Sequence, residues 1–345
     1  MTSSSKPDEK RATIVDIARR AGVSPKTVSR VMNDEPHVKQ AVREQVKAIA
    51  RELNYHPNVM AQGLIARKSY LIGLTYERPS PSYVVELQRG ALERLAGERY
   101  RLIVLPFADA TQDPQGLVSL LRVAALDGVV LAPPSSDLEP VLDALDAIGM
   151  PYGRVAPRSF PGRGACATMD DVAAARAVAE HLLRLGHRSI GVIYGHRDHI
   201  SSALRRQGYV EAFAAYGLDY LPVVEQPGDF TRESGVAAMQ RIISGGIMPT
   251  AILAQNDDMA VGALMAAREA GISVPETLSI AGFDDSDVAR LAWPTLTTVR
   301  QPVVDMARQA TDGLLALMSG RGSVAPTTHE HVLCMRHSTA QPRHG

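Results

Sequence analysis

The sequence predicts an α/β protein with an N-terminal all-α helix-turn-helix head, a short hinge helix, and two doubly wound parallel-sheet subdomains. Two short amphipathic segments joined by a glycine turn near the N-terminus predict the head. Apolar runs of strand length then alternate with amphipathic runs of helix length, which is typical of parallel sheets with helices on both faces. The alternation occurs twice, with a break after Pro157 and a new start at Arg188.

The composition is that of an ordinary globular protein. The chain has 345 residues, 45% of them hydrophobic, a length that indicates two or three domains. Cys166 and Cys334 lie far apart, which argues against a disulfide framework and against a metal site built on paired cysteines. The first eleven residues lack the apolar core of a signal peptide, and no apolar run has the length of a bilayer span. We therefore expect a cytoplasmic protein with no membrane partner.

The charge distribution is asymmetric although the net charge is zero. Residues 1–70 contain 13 Lys and Arg against 7 Asp and Glu, a net charge of +6, so the remainder carries −6. A small basic segment joined to a larger acidic one favours a polyanion-binding head on an acidic body. An accidental surface imbalance is the alternative that charge alone leaves open.

The first helix of the predicted head has a signal at each end. Thr13 is placed to cap the helix, Asp16 completes a capping box three residues later, and Gly22 suits the exit. Its apolar residues fall on one face: Ile14, Ile17, Ala18 and Ala21.

The second helix begins at Ser24 and Pro25, a capping residue followed by proline at the first helical position. Helical spacing directs Val28, Val31 and Met32 inward and leaves four polar residues outside: Lys26, Thr27, Ser29 and Arg30. That face is either simply solvated or inserted into the DNA major groove, where arginine makes bidentate contacts with guanine. A third helix follows, with Val42, Val46, Ile49 and Leu53 at helical spacing.

The segment "TIVDIARRAGVSPKTVSRVMNDEPHVKQAVREQVKAIARELNYHPNVMAQGL" resembles the head of the LacI/GalR family of bacterial transcription regulators. The resemblance implies that Pro25, Lys26 and Arg30 read bases, with Ser29 and His37 nearby. Small polar side chains at Ser24, Thr27 and Asn33 suit phosphate contacts, which position a head without specifying sequence. The predicted DNA-binding set also contains Thr13, Asn58 and Ala61.

The segment Asn58–Ser69 resembles the family's hinge helix, which folds in a dimer on its operator. Leu64 occupies the position of the leucine that opens the minor groove, a type of wedge that kinks DNA at a cost of about a few kcal/mol per unstacked step. An ordinary apolar linker residue is the alternative. The expected divisions are a tail at 1–11, a DNA-binding domain at 12–57, a hinge at 58–69, and an effector-binding and dimerisation domain at 70–345.

The body begins at Tyr70, and its strand-like runs are "YLIGLTY", "RLIVLPF", "DGVVLAPP", "SIGVIYG", "TAILAQND" and "LSIAGFDD". Ligands of doubly wound sheets bind at the carboxyl ends of the strands. The segments "ALRRQGYVEAF", "PTAILAQNDDMAVGAL" and "LSIAGFDDSDVARLAWPTLTTVRQP" resemble the effector domain of the same family, itself similar to periplasmic sugar-binding proteins.

This second resemblance implies a ligand pocket at Arg205, Asn256 and Asp284, with Phe230 as its aromatic floor. Charged and amide groups make directional hydrogen bonds to vicinal hydroxyls, and an aromatic face packs on a sugar ring. The effector is therefore expected to be a mono- or disaccharide. Three structural alternatives stay open: Asp284 as a helix cap, Arg205 as an ion-pair partner, and Phe230 as a core residue.

Other positions carry weaker expectations. Tyr76 or Tyr83 is expected to contribute to the pocket wall, and Asp198 to contact or gate the ligand. The neighbouring His196 and His199 suggest a metal site, but an ordinary polar loop is the better interpretation, so we predict no metal and no cofactor. The stretch "APR" at 156–158 stands where many family members carry an aspartate facing the ligand, so one hydroxyl contact is in doubt. His187, at a helix–strand junction, is expected to be structural.

The function predicted is that of a repressor of carbohydrate-utilisation genes, released from a pseudo-palindromic operator when a sugar binds. A transport-type sugar-binding protein leaves the basic head unexplained. An enzyme is disfavoured because no dinucleotide fingerprint, P-loop, nucleophile elbow or zinc-protease motif is present. The C-terminal residues lack the heptad pattern of a tetramer tail, so a homodimer is expected.

Overall fold

The computed structural model describes residues 12–32, 35–55, 68–77, 80–197, 199–218, 224–322 and 325–343. Internal contacts divide the chain into a head, residues 1–69, and a body, residues 70–345. Five predicted site residues lie outside the described ranges, and their roles stay predictions: Asn33, Asn58, Ala61, Leu64 and Asp198.

The head contains helices α1 (Ile14–Ala21), α2 (Pro25–Met32) and α3 (Gln40–Glu52) around one core. The capping box at Thr13 and Asp16 is present, and Gly22 ends α1 with a positive φ of 65°, a conformation that glycine adopts without steric cost. The apolar faces of all three helices meet as the spacing predicted. The core comprises Ile17, Ala18, Ala21, Val28, Val31, Val46, Ile49 and Ala50.

The body contains two parallel sheets. Its strands are β1 (Leu71–Tyr76), β2 (Arg101–Pro106), β3 (Gly128–Leu131), β4 (Tyr152–Val155), β5 (Ala165–Met169), β6 (Ile190–Tyr194), β7 (Val224–Pro227), β8 (Ala251–Ala254), β9 (Ser279–Ala281), β10 (Thr298–Arg300), β11 (Thr327–His329) and β12 (Val332–Cys334). The first sheet has the order β11-β5-β4-β3-β1-β2 and the second β7-β6-β8-β9, while β10 and β12 form an antiparallel pair. All six predicted strands are present.

Helices cover these sheets. They are α4 (Pro81–Leu95), α5 (Pro114–Val123), α6 (Glu139–Ala147), α7 (Asp171–Arg184), α8 (Ile200–Ala215), α9 (Arg232–Ser244), α10 (Asp257–Glu269), α11 (Asp287–Leu291) and α12 (Val303–Met318). Helix α12 packs on α4 and on strands of the first sheet, α7 packs on α8, and α9 packs on α10. None of the helices in the described ranges combines the length and the apolar character needed to cross a membrane.

The boundary between the two subdomains differs from the expectation of one sequence break. Strand β5 lies beyond Pro157 yet pairs with β4, and β11, near the C-terminus, pairs with β5. Helix α12, late in the chain, also packs on the first sheet. The chain therefore passes between the subdomains more than once, because the first sheet takes its edge strand β11 from near the C-terminus while the second sheet is built from consecutive strands.

His187 is structural, as predicted. Its Nδ1 lies 2.9 Å from Thr250 Oγ1 and its Nε2 lies 2.8 Å from the carbonyl oxygen of Ala340. The buried ring therefore links the residue just before β8 to the C-terminal segment. His181 makes a similar contact with Thr339. Burial lowers the pKa of both imidazoles below 6.5, since the charged form would be desolvated.

We expect His187 to make the stability of the body pH-dependent. The unfolded chain takes up a proton near pH 6.5, while the folded chain takes it up only at lower pH. This contribution is complete above pH 6.5 and is lost as the pH falls below it, by at most about 1.4 kcal/mol per pH unit. Urea unfolding at pH 7.5, 6.5 and 5.5 should show a shallower acid loss for His187→Gln than for the parent protein.

The comparison with the parent isolates His187 from other groups. Burial raises the pKa of Asp257 to about 7, so the stability contributed by that carboxyl falls as pH rises from 3.8 to about 7, the opposite direction. Both proteins contain Asp257, and its effect cancels in the difference. Parallel pH profiles for parent and variant would contradict the assignment.

Candidate DNA-binding surface and ligand cavity

Helix α2 begins as the sequence predicted. Ser24 Oγ accepts a hydrogen bond from the Thr27 backbone N–H at 3.1 Å and lies 2.9 Å from Thr27 Oγ1, and Pro25 occupies the first helical position. Val28 and Val31 are fully buried, so the inward face of α2 is anchored. The first turn, with Pro25 and Lys26, is exposed. The N-terminal end of α2 is therefore exposed while the opposite face of the helix is anchored in the core.

Arg30, one turn further along α2, is exposed. Its Nε lies 3.7 Å from Glu35 Oε2, and both side chains are about half exposed. Exposed ion pairs contribute only about 0–1 kcal/mol, so exchanging Glu35 for another partner costs little. His37 is exposed in the loop before α3 and has a positive φ of 73°, which turns the chain sharply there. Thr13 is occupied by the capping box, which favours a role in holding α1 over a role in contacting DNA.

One cavity of the body lies between the two sheets and contains about 640 Å³ of empty space, part of it open to solvent. Its walls follow the carboxyl ends of strands in both sheets, where ligands of this architecture bind. All four residues of the predicted pocket core, Arg205, Asn256, Asp284 and Phe230, line it. The other lining residues are Ser80, Tyr83, Pro133, Ala156, Arg158, Asp171, His199, Ile200, Ser201, Leu204 and Gln301.

Asp171 lies between two arginines at the centre of this cavity. The Arg158 guanidinium donates a hydrogen bond to Asp171 Oδ2, and Arg205 Nε lies 3.5 Å from Asp171 Oδ1. The side chains of Asp171 and Arg205 are each only 5% exposed. Arg158 follows β4 of the first sheet, whereas Arg205 is on α8 of the second subdomain. The carboxylate therefore joins the two subdomains through opposite charges.

Arg205 is fixed from several sides. Its guanidinium carbon lies 3.8 Å from the centre of the Phe283 ring, a cation–π contact, and its Nη1 donates to the carbonyl oxygen of Gln255. The Gln255 side chain in turn accepts from the Gly195 N–H at 2.8 Å and donates to the Ser202 carbonyl at 2.9 Å. Arg205 is therefore both an ion-pair partner and a cavity residue, so the two roles considered from the sequence are compatible.

Phe230 forms an aromatic wall of the cavity. Its ring lies 5.3 Å from the His199 ring, centre to centre, and packs on the backbone of Gly195, where a Cβ would come within 2.0 Å of the ring. Gly195 is thus required by this close approach. Phe230 has a positive φ of 68°, an unusual conformation for a bulky residue that is typical of functional sites.

Asn256 positions its neighbours. Its Oδ1 accepts from the Met259 N–H at 3.0 Å, which caps α10, and its Nδ2 donates to the Phe230 carbonyl oxygen at 2.9 Å. An amide has two donor hydrogens and two acceptor lone pairs. One donor and one acceptor of Asn256 therefore remain for a ligand, while the other donor holds Phe230 in its strained conformation and the other acceptor caps α10.

Asp284 also faces the cavity and accepts a hydrogen bond from Gln301 Nε2. It does not cap the next helix, because Ser286 occupies the N-cap position of α11. Burial raises the pKa of Asp284 well above 3.8, and repulsion from Asp257 adds to the rise, while Arg205 opposes it. Burial and the nearby carboxylates also raise the pKa of Tyr83. Tyr83 is therefore a hydroxyl donor in the wall.

Of the two tyrosines considered for the pocket wall, only one lines the cavity. Tyr76 does not line the cavity, because its side chain shares the strand face of Ile72 and Leu74 and packs with the core beneath the sheet. Tyr83, the alternative, lines the wall.

Among the described residues there is no group of three or more His, Cys, Asp or Glu with the arrangement of a metal site.

Sequence reasoning missed Asp171, Gln255 and Gln301. Asp171 follows β5, and that strand, "ACATM", is too short and too weakly apolar to stand out. Gln255 directly precedes Asn256 at the end of a strand that the sequence predicted. A polar residue at the end of such a strand is the signal that could have identified Gln255. Gln301 follows β10, a three-residue strand with no periodic signal.

Comparison with known proteins supports both parts of the chain. Residues 13–58 match the family model described as bacterial regulatory proteins, lacI family, and residues 179–339 match a periplasmic binding protein-like domain. The transcriptional regulator GalS of Salmonella typhimurium is 34% identical over 95% of this chain and 96% of its own. CelR of Thermobifida fusca is 33% identical over 90% of this chain and 93% of its own.

Solved structures give the same result. The lac repressor dimer bound to operator and the anti-inducer ONPF has a TM-score of 0.82 and 28% identity, covering 96% of this chain and all of its own. A complex of the regulator CelR with cellobiose has a TM-score of 0.71 and 30% identity, covering 95% of this chain and all of its own.

Asp171 and its neighbour Asp170 offer a matched test of the buried ion pair. Asp171→Ala leaves two guanidinium groups without their shared carboxylate, and breaking a buried pair costs about 3–5 kcal/mol. Asp170→Ala removes only an exposed cap, in which Oδ1 accepts from the Ala173 N–H, at about 1 kcal/mol. Free energies of unfolding from urea titrations measure both. Equal losses would show that Asp171 acts as an ordinary first-turn residue.

Proposed function

Because the chain belongs to the lacI family of bacterial transcription regulators, we propose that it represses carbohydrate-utilisation genes as a homodimer on a pseudo-palindromic operator. A mono- or disaccharide in the body's cavity releases it from the DNA. Helix α2 is the main support for the DNA-binding role. Its buried valines fix its orientation, while Lys26 and Arg30 stay exposed.

The base-reading set comprises Pro25, Lys26 and Arg30. Arginine suits a bidentate contact with guanine in the major groove, and the weak Glu35 pair leaves Arg30 available for it. By the family resemblance Ser29 and His37 belong next to this set, and Ser24 and Thr27 contact phosphates. Leu64 as a minor-groove wedge remains part of this proposal on the sequence resemblance alone.

A second copy of the chain is the proposed occupant of an apolar surface on the body. Leu291 is 83% exposed and Trp293, the protein's single tryptophan, is 81% exposed. Large exposed apolar side chains mark interaction sites, and tryptophan is enriched at interfaces. The related lac repressor structure is a dimer on its operator, which supports the same arrangement here. Two heads in one dimer match two half-sites of a palindrome.

A sugar is the proposed effector because the cavity combines an aromatic wall with several directional polar groups. Phe230 offers a face for a pyranose ring, while Asp284, Asn256 and the arginines offer donors and acceptors for hydroxyls. The related regulator CelR binds cellobiose in its solved complex. Arg158 stands where many family members carry an aspartate, so it takes over one contact with a donor in place of an acceptor.

Effector binding is proposed to act by changing the angle between the subdomains. The Arg158–Asp171 contact spans them, so a ligand that reaches these groups alters what holds the cavity closed. The coupling is reciprocal, so operator changes effector affinity by the same factor. The relatives are regulators and not enzymes, and we propose binding without turnover, in the cytoplasm where the operator lies.

Arg30→Ala should relax sequence preference at one position in each half-site by about 1–3 kcal/mol, because a bidentate base contact is lost. Selection from a random duplex pool with the parent protein identifies the operator. Competition binding against operators changed at single positions then measures the preference. A duplex with one half-site should bind far more weakly than one with both, as expected for a dimer.

Arg51→Ala is the matched control. Arg51 is an exposed arginine at the end of α3, and its Nε donates to the Lys47 carbonyl oxygen at 3.3 Å. Its loss is expected to leave base preference unchanged. An Arg30→Ala protein with the parent's full sequence preference would remove Arg30 from the base-reading set.

Asp284→Asn should weaken effector binding at least about tenfold and abolish release from operator, because a buried hydroxyl acceptor is lost. Operator affinity without effector should stay at the parent's value. Calorimetry with a sugar that stabilises the parent protein, and fluorescence anisotropy of labelled operator, measure the two effects separately.

Asp287→Asn serves as the control for Asp284, since Asp287 is nearby in sequence but its side chain is 83% exposed, on α11. It should respond to effector as the parent does. Retained release by Asp284→Asn would exclude Asp284 from the effector site.

A further inference from the structure

Asp285, the neighbour of Asp284 in the chain, is surrounded by three arginines. Its side chain is fully buried, and Arg300 Nε donates to Oδ2 at 2.8 Å. Arg336 Nη2 donates to Oδ1, and Arg290 Nη1 lies 3.2 Å from Oδ2. Although burial opposes it, these arginines keep the pKa of Asp285 below its usual value, so the carboxylate is ionised. We call these four residues the Asp285 cluster.

The Asp285 cluster holds the turn that directs Asp284 into the cavity. Asp284 and Asp285 have positive φ values of 123° and 57°, a conformation that is uncommon for residues other than glycine and persists where the surroundings enforce it. The end of β10 contacts both, because Gln301 Nε2 donates to Asp284 Oδ1 and the preceding residue donates to Asp285. A displacement of Asp284 is therefore passed to Asp285 through the backbone and through β10.

The same cluster holds both ends of the loop that carries the exposed surface around Trp293. At the start of this loop, Arg290 Nη1 also donates to the Asp285 carbonyl oxygen at 2.7 Å. At its end, Arg336 Nη1 donates to the Leu296 carbonyl oxygen at 2.8 Å. Trp293 lies between these two anchors. The surface proposed as the contact with a second copy is thus fastened at both ends to the residue that follows the cavity aspartate.

We propose that the Asp285 cluster transmits effector binding from the cavity to the surface around Trp293, with Asp285 as a positioning residue. This inference rests on the proposed function, since it takes the cavity as the effector site and this surface as the contact with a second copy. An effector that engages Asp284 displaces the turn, and the arginines follow the buried carboxylate because a buried charge without partners is strongly disfavoured. Arg290 and Arg336 then move the two ends of the loop together. The contact between two copies, and with it the spacing of the two heads, responds to the cavity by this route.

Fluorescence of the full-length protein tests this route without any effector, because Trp293 is the single tryptophan. Asp284→Ala removes the acceptor of the Gln301 side chain and so changes the cavity end of the turn. In the parent protein this substitution should shift the Trp293 emission maximum and its quenching by acrylamide. In an Arg290→Gln protein the same substitution should produce a much smaller shift, because one anchor of the loop is missing. Gln301→Ala, which leaves Asp284 in place, is a second change at the cavity end and should give the same pattern.

Arg308→Gln is the matched control for Arg290→Gln. Each of these arginines forms an ion pair with the aspartate three residues before it in its own helix, and both are about half exposed. Arg308 is no member of the Asp285 cluster, so Asp284→Ala should shift Trp293 emission in this background as it does in the parent. Circular dichroism and urea unfolding verify that each variant is folded.

Operator release is a second measurement on the same proteins, with cellobiose as the probe because the related regulator CelR binds it. In Arg290→Gln the factor by which cellobiose changes operator affinity should fall at least about fivefold, while the affinity of the free protein for cellobiose stays within about twofold. By reciprocity, the factor by which operator changes cellobiose affinity should fall equally. A general loss of stability would not leave both affinities intact while removing the coupling between them.

The outcomes separate this inference from the function on which it rests. Equal Trp293 shifts in the parent and Arg290→Gln backgrounds overturn the route through the Asp285 cluster, as does the absence of a shift from both changes at the cavity end. Loss of the shift in Arg308→Gln also overturns it, since any exposed arginine would then have the same effect. A parent protein that keeps its full operator affinity in cellobiose, glucose and galactose contradicts the sugar effector, and the fluorescence comparison still decides the role of the cluster.

Discussion

The body is organised around one buried carboxylate, that of Asp171. It receives Arg158 from the first subdomain and Arg205 from the second, and neither it nor Arg205 has appreciable contact with solvent. A buried charge is tolerated only with partners, so this carboxylate keeps both arginines in the cavity. Charge pairing thus adds to the apolar contacts that the two subdomains share, in a form for which a polar ligand is able to compete.

Further contacts hold Arg158 and Arg205 in place on either side of Asp171. Arg154, fully buried, donates through Nε to the Ser136 carbonyl and through Nη1 and Nη2 to the Phe160 and Ser159 carbonyls, and so fixes the loop that carries Arg158. On the other side the Phe283 ring and the Gln255 carbonyl hold Arg205. Because these supports are rigid, the donors and acceptors in the cavity keep fixed directions. Fixed directions are what discriminate one arrangement of hydroxyls from another.

The head follows the opposite principle. Its helices are fixed by a small core, and Lys26 and Arg30 of α2 stay exposed to solvent. The Arg30–Glu35 pair is half exposed and cheap to exchange, as suits a side chain whose partner is another molecule. The polar groups of the cavity thus order the body, whereas the exposed polar groups of α2 serve to contact DNA.

Local signals made much of the fold predictable. Capping residues at Thr13 and Ser24, the turn at Gly22 and the apolar spacing of each helix act within a few residues, so the sequence alone determined the head's helices and the six principal strands. The resemblance brought Arg205, Phe230, Asn256 and Asp284 to attention, and the structure places all four around one cavity.

Long-range pairing decided the rest. The sequence does not show that β11 joins the first sheet, because its partner β5 lies far away in the chain and Thr327 pairs with Ala167. The pairing of β5 with β4 brings Asp171 near Arg158, and the bridge between Asp284 and Arg300 places Gln301 beside Asp284. The alternation of side chains along β1 turns Tyr76 toward the core that Ile72 and Leu74 join. The sequence thus determined which elements form and which residues carry chemistry, and only the tertiary structure decided which of those residues meet.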